Sequence, residues 1–362
     1  MFNGFRFGLE AEFLLADKNT FAPLWYKDVT FKQLDDIFSG IDLTGLPSLD
    51  GLSSEPPHKK LMPFIVEGYG VTDDNFQVID AKPKGVEIRT PVCYSLDELF
   101  TVYEDCFYRM KHALNKENLT PIAISHHPTE AKFYGPQNKR RHDFWLWAME
   151  VMTTYGPDIN VSFPNDITKK LFHDLDDLNQ KVNYYAPAMA AISLASPFYL
   201  GDIWSVKEEE GLSYRTFKRS IVAPAIELHP DENFRIEFKV FEMSNQSIDF
   251  KNYFLLVLAL FLDEGLKGRA SQQERIYDLG SVSRYGILAP GVRERFLELY
   301  QRAPAILSEF GFNPKSLTQL TPRIEKGFTP SQRMKEIFNQ KGSINSVLEE
   351  YSWLYTLDGK KI

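Results

Sequence analysis

The chain has 362 residues, 43% hydrophobic and 25% charged, with a formal net charge of −8. That is the composition of an ordinary globular protein with room for a large core, and its acidic balance argues against nucleic-acid binding, which needs a basic surface. The only cysteines, Cys93 and Cys106, form neither a CxxC pair nor a cysteine–histidine cluster, so no disulfide framework or thiolate zinc site is implied. The first residues lack a signal-peptide layout, and the longest apolar run, YFLLVLALFL at 253–262, is too short to span a bilayer. The chain therefore reads as a cytoplasmic protein with no membrane or nucleic-acid partner.

The first predicted element, residues 5–15, contains FGLEAEF. As a strand it puts Phe7, Leu9, Ala11, Phe13 and Leu15 on one face and Gly8, Glu10 and Glu12 on the other. Neighbouring carboxylates are costly unless water solvates them, a cation neutralises them or one takes up a proton. On this stretch alone, a half-exposed strand with a wet acidic side suffices. Residues 39–63, rich in Gly, Ser and Pro and without period, read as a long loop of the kind used for lids or disordered insertions.

A second strand, 86–92, within KGVEIRTPV at 84–92, places Glu87 and Arg89 together on its polar face. A helix follows at 95–114, with Ser95 and Glu98 spaced as a capping box. The basic run NKRRH at 138–142 leads into a helix over 142–153, whose FWLW packs a core or suits an adenine ring. A third strand spans 159–163, a helix 175–194, and a fourth strand, 234–241 (FRIEFKVF), carries Arg235, Glu237 and Lys239 on one face. Helices at 250–266, 291–309 and 331–355 make the last part mainly helical. Length allows two or three domains, but the pattern reads as a single catalytic domain over 1–362. The expected fold is α+β, a curved mostly antiparallel sheet with packed helices, because no regular βαβ rhythm is present.

Each polar strand face alone is ordinary sheet surface. Were these strands neighbours, Glu10, Glu12, Glu87 and Glu237 would converge with Arg89, Arg235 and Lys239 around them. Clustered carboxylates without sulfur or imidazole are hard ligands that suit Mg2+ or Mn2+, and magnesium commonly completes its shell with substrate phosphates. Phosphoryl chemistry on a nucleotide follows. Neither GxxxxGK[ST] nor a strand-linked GxGxxG is present, so metals and cationic side chains would have to hold that nucleotide. A glycosidase pair would leave the other acids and interleaved bases unexplained.

With these residues in hand, the chain resembles the glutamate-cysteine ligase family, including its carboxylate-amine ligase branch, which shares a fold with glutamine synthetase. GLEAEF resembles the family's Gly-x-Glu-x-Glu strand, KGVEIRTPV its Glu-x-x-Thr-Pro strand, and SHHP at 125–128 its Gly-x-His-Pro turn. YGPDINVSF resembles the Gly-x-His-x-Asn strand, ISLASPFYLG the Ser-Pro-Phe turn, LSYR at 212–215 the Ser-Tyr-Arg segment, and FRIEFK the Glu-x-Arg strand. The resemblance runs from about Phe5 to Glu242.

The resemblance implies that Glu10, Glu12, Glu87 and Glu237 ligate metal ions bridging the ATP phosphates. Asp80 stands where some members supply another carboxylate, or is a turn residue before a strand. Arg235, Arg89, Asp158 and Asn160 are then placed for the nucleotide and its metal, and Lys239 and Arg215 for catalysis, with a surface salt bridge as the alternative for Arg215. His127 falls in a structural turn. Two departures stand out: the family's strand His is Asp158, and the Arg after the metal Glu is Lys239. Asp still suits a hard cation, whereas Lys replaces a bidentate fork with a point charge.

The implied activity is ATP-dependent amide synthesis from an amino acid, commonly glutamate, and an amine, through an acyl phosphate. The alternatives are true glutamate-cysteine ligation and a catalytically silent relative that binds a metabolite or a partner protein. Oligomeric state is left open, a homo-oligomer included.

Overall fold

The computed structural model describes residues 4–53, 56–133 and 148–362. At its centre lies one curved sheet in which every pairing is antiparallel. Its first strands are β1 (Arg6–Asp17), β2 (Phe64–Thr72), β3 (Val78–Arg89), β4 (Leu119–Ile122) and β5 (Pro157–Ser162). Two short ribbons follow, β6 (Phe198–Tyr199) with β7 (Asp202–Ile203), and β8 (Ser205–Val206) with β9 (Glu209–Glu210). Strands β10 (Ile226–His229) and β11 (Arg235–Phe238) complete the main sheet in the order β10-β11-β5-β1-β3-β2, and β4 pairs with the far end of β1.

Strand β1 organises this sheet because it alternates as its sequence dictates. Phe7, Leu9, Ala11 and Phe13 are buried, and Gly8, Glu10 and Glu12 are half-buried on the opposite face. The apolar face packs on two helices, Leu96–Lys116 and Ser247–Leu262. In the second, only Ile248 and Lys251 escape burial, as expected of a helix apolar all round. No helix among the described residues is long and apolar enough to cross a membrane.

Several elements differ from expectation for local reasons. Ser95 caps the first long helix by accepting from Glu98 N at 3.1 Å, but Glu98 reaches back to Tyr94 N at 2.7 Å, one residue beyond a capping box. The final helix is two, Pro330–Lys341 and Ile344–Tyr351, divided where Gly342 takes a φ of +67°. The helices Phe31–Ser39, Tyr214–Val222 and Gln272–Tyr285 and the strands β2, β4 and β10 were not expected: the first two helices are amphipathic but only 9 residues long, the third has a weak period, and the strands are short or interrupted by glycine. NKRRH and FWLW lie outside the described residues. Of the helix over 142–153, the described part is a 3-10 turn, Ala148–Thr153.

The SHHP segment is a structural turn. His127 is buried beside Trp25, and its Nδ1 accepts from Glu130 N at 3.1 Å, while His126 lies 2.8 Å from Thr153 Oγ1. Burial pushes both imidazoles down to about 3. Between the unfolded value of about 6.5 and that folded value the unfolded chain binds more protons, so stability from neutral burial, complete above about pH 6.5, is lost as pH falls through the window. Each imidazole should contribute a slope of up to about 1.4 kcal/mol per pH unit. Urea unfolding of wild type between pH 7 and pH 5 checks this against His126→Gln and His127→Gln, each of which should flatten the slope.

Candidate active site

The polar face of the sheet gathers charge from five strands. Glu10 lies opposite Arg89 on one side and Asp158 on the other, Glu12 opposite Glu87, and Glu237 opposite both Asn160 and Glu227. Strand pairing thus turns acids scattered along the chain into one field. Ligand oxygens of Glu10, Asp158 and Glu237 all fall within 4.8 Å of one another. That all-oxygen donor set fits a hard divalent cation.

Cations thread through these acids. Lys239 bonds Glu237, reaches Glu227 at 3.2 Å and stands 3.5 Å from Asp158. Arg235 donates to Glu237 at 2.9 Å and to Asn160 Oδ1, and Asn160 Nδ2 donates to Glu10 at 3.2 Å. Arg89 Nε donates to Glu87 at 3.1 Å and lies 3.6 Å from Glu10. Burial opposes the charge on Glu237, but Lys239 and Arg235 outweigh it and hold the carboxyl down to about 2. Asp158 is pushed up to about 8 because burial exceeds the help of Lys239. Glu87 is likewise raised well above the usual carboxylate range by burial, against Arg89.

The expected acids do not all share one role. Glu12 spends both oxygens elsewhere, accepting from Lys84 Nζ at 2.9 Å and from Gly156 N at 2.8 Å. Asp80 is not brought to the cluster: it sits exposed on the outer part of β3, opposite Val71, with Lys82 3.9 Å away. Arg215 is 2% exposed and lies behind the open face against Gly156, where a Cβ would fall 2.1 Å from its guanidinium. Burial, then Arg219, lower its pKa to about 10.

Lys84 and Glu227 carry no expectation in the sequence, and His229, one of its scattered histidines, reads there only as a surface or capping residue. His229 Nε2 lies 3.0 Å from Glu237, and Glu227, His229 and Glu237 form a second group of clustered ligand atoms. Short strand β10 offers too few residues to show a period. Lys84 is hidden by register. Three residues before Glu87 it should face away, but it is the extra residue of a bulge where Gly85 pairs Glu67 and Pro83 pairs Gly68. Gly85 permits the close crossing, since a Cβ there would lie 2.2 Å from the Phe13 carbonyl oxygen. Both cysteines are buried, and burial pushes each thiol up to about 12, which leaves no thiol nucleophile here.

Over the face lies a groove of about 650 Å3, lined by Gly8, Glu10, Arg89, Asn160, Arg235 and Glu237. That volume suits a nucleotide-sized ligand. The expected long loop supplies Gly51, Leu52 and Ser53 to its wall.

The site is thus a curved antiparallel sheet with one face of interleaved acids, guanidinium groups and a lysine. The chain belongs to glutamate-cysteine ligase family 2 (GCS2), which it matches over residues 6–215, more than half its length. No curated protein matches the sequence.

Solved structures share the fold at low identity. A bifunctional glutathione synthetase from Pasteurella multocida superposes with a TM-score of 0.62 at 14% identity, covering 96% of this chain and 52% of its own. The chain thus spans about half that enzyme. A glutamate–cysteine ligase from Francisella tularensis in complex with AMP gives 0.61 at 13% identity, covering 97% of this chain and 88% of its own. The ligase PafA in complex with the prokaryotic ubiquitin-like protein Pup gives 0.51 at 12% identity, covering 96% and 73%.

Proposed function

We propose that the protein joins the carboxylate of a small amino acid, glutamate foremost, to an amine at the expense of ATP. The observation that carries this reading is the convergence of Glu10, Asp158 and Glu237 beside Lys239. Glu10, Asp158 and Glu237 would hold Mg2+ or Mn2+. Glu12 and Glu87, whose charges are partnered by Lys84 and Arg89, would join only if those pairs open. When bound, the cation neutralises charge on the phosphate oxygens.

In the reaction, a substrate carboxylate oxygen attacks the γ-phosphorus and ADP leaves, giving an acyl phosphate. The amine then attacks the acyl carbon, loses a proton, and expels orthophosphate. Arg89 and Arg235 border the groove and hold anionic oxygens of the nucleotide, with Asn160 fixing Arg235 and Glu10 between them. Lys239 offers charge to the transferring phosphoryl group, and Arg215 supports it from behind.

One observation favours a second reading, a silent relative that binds without turnover: the Lys239 ammonium itself lies among Glu237, Glu227 and Asp158, where a metal-bound site needs room. Incubation with Mg2+, ATP and pooled amino acids and amines separates the two. An amide mass with matching ADP supports the ligase, and Glu10→Gln and Glu237→Gln should each lower ADP formation about 100-fold or more. Metal-dependent ATP binding without product would select the silent relative, and true glutamate-cysteine ligation predicts the glutamate–cysteine product alone.

A further inference from the structure

Metal is implied at Glu12 and Glu87 by the family resemblance as well as at Glu10 and Glu237, but the two ends of the polar face are built differently. Among the described residues, both groups of ligand atoms close enough to share a cation contain Glu237, and neither takes in Glu12, Glu67 or Glu87. At the other end the carboxylates surround an ammonium. Glu12 lies opposite Glu87, and Glu67, which pairs with Gly85, stands two residues along β2 from Ile65, the partner of Glu87, so all three acids share the polar face.

Lys84 Nζ lies 2.9 Å from Glu12 Oε1 and 3.5 Å from Glu67 Oε1, and it donates to the Thr154 carbonyl oxygen at 2.8 Å. Two carboxylates and a backbone carbonyl are the kind of oxygen donors a hard divalent cation takes. The lysine is buried and held from several sides. The bulge in β3 turns it inward, the Tyr155 hydroxyl donates to its carbonyl at 2.7 Å, and Gly156 N occupies the second Glu12 oxygen at 2.8 Å. Glu87 is taken by Arg89 at 3.1 Å. A metal entering at Glu12 would leave a buried ammonium without its carboxylates, a cost added to the metal's own dehydration.

We infer that Lys84 is a resident cation standing where a second divalent ion would go, so that the polar face takes one divalent cation, at Glu10, Asp158 and Glu237, and Glu12 serves as the partner of Lys84 and not as a metal ligand. An ammonium on a side chain cannot be drawn off by a chelator and carries one charge to the metal's two. The Glu12 end is therefore neutralised permanently and only in part, and the phosphate oxygens meet their metal at the Glu237 end alone. Lys84 is a positioning residue in this arrangement, tying β1 to β3 and to the turn before β5 through Glu12 and Thr154. The place of the one divalent ion rests on the ligase reading, but the exclusion of a second by Lys84 does not.

Titration of the full chain with Mn2+ in the absence of ATP, with bound ions counted from the loss of the free-ion electron paramagnetic resonance signal, tests this. Wild type should bind a single ion, and Glu67→Gln should change neither the count nor the affinity. Lys84→Met should bind one ion more than wild type, through the oxygens its ammonium vacates, and Lys84→Met/Glu67→Gln should return to the wild-type count. Because a ligand that binds only the folded state stabilises it, Mn2+ should also raise the urea midpoint of Lys84→Met by more than that of wild type. A second ion of comparable affinity on wild type would overturn the proposal, and that count is read whether or not Lys84→Met folds. So would a folded Lys84→Met that gains no ion and whose urea midpoint Mn2+ leaves unmoved, since Lys84 would then be a structural partner and nothing more. Absence of any ion on wild type would defeat the divalent-cation part of the ligase reading, while an ion gained by Lys84→Met would still uphold the role given to Lys84.

Discussion

Replacing Lys84 by methionine is expected to destabilise the protein by about 3–5 kcal/mol, the loss typical when one partner of a buried ion pair is removed. Lys84 is 5% exposed, and its ammonium donates to Glu12 at 2.9 Å and to the Thr154 carbonyl at 2.8 Å, with Glu67 at 3.5 Å. Burial alone would lower its pKa, yet Glu12 and Glu67 raise it above the usual lysine value. The dependence is mutual. Burial would raise the Glu12 carboxyl, and Lys84, with help from Arg219 and Gly156 N, holds it below the usual range.

Methionine keeps the aliphatic stem but leaves two half-buried carboxylates without the cation they share, which favours uptake of a proton by one of them. The double variant Lys84→Met/Glu12→Gln should therefore be less destabilised than the two single losses added together, because the charge stranded by the first change is removed by the second. Urea unfolding at unchanged m-value measures both. A loss under about 1 kcal/mol for Lys84→Met alone would mean that water, not Lys84, solvates Glu12.

Glu242→Gln should cost about 3 kcal/mol or more, through a different device. This carboxylate is wholly buried and accepts from Ala195 N at 2.6 Å, Ser196 Oγ at 2.8 Å, Thr216 Oγ1 at 2.7 Å and Ser213 Oγ. A glutamine has one acceptor oxygen and brings two donors into a shell that is already all donors. Ser213 is the N-cap of helix Tyr214–Val222 and accepts from Thr216 N at 2.8 Å, so Glu242 fixes the helix that carries Arg215 and Arg219. Denaturant unfolding reads the stability loss. Replacing Ser196 by Ala removes only one of the four bonds and should cost about 1–2 kcal/mol; equal losses for the two variants would show that Glu242 does not act as the hub.

Much of the frame was legible because its causes are local. Period-two alternation placed Phe7, Leu9, Ala11 and Phe13 inward and Glu10 and Glu12 outward, and an unbroken apolar stretch foretold the buried helix Ser247–Leu262. The pairing of acid with base on the strand of Glu87 and on that of Glu237 was equally plain, since it depends only on parity. Strands β2 and β10 escaped notice because glycines interrupt the first and four residues make the second.

Which groups meet is a different matter, settled by strand order, register and packing. Chain order says nothing of β5 lying between β1 and β11, the arrangement that brings Asp158 to Glu10 and Glu237. A one-residue bulge turned Lys84 toward Glu12, reversing what parity predicts, and distance along β3 kept Asp80 out of the cluster. Arg275 meets Arg215 only because two helices far apart in sequence close one recess. By itself the sequence determined that Glu10 shares a face with Glu12, Glu87 with Arg89, and Glu237 with Arg235, through side-chain period and hydrophobicity. Which charges neutralise one another only the tertiary structure decided, because Coulomb energy depends on separation in space and on burial, and neither is written in spacing along the chain.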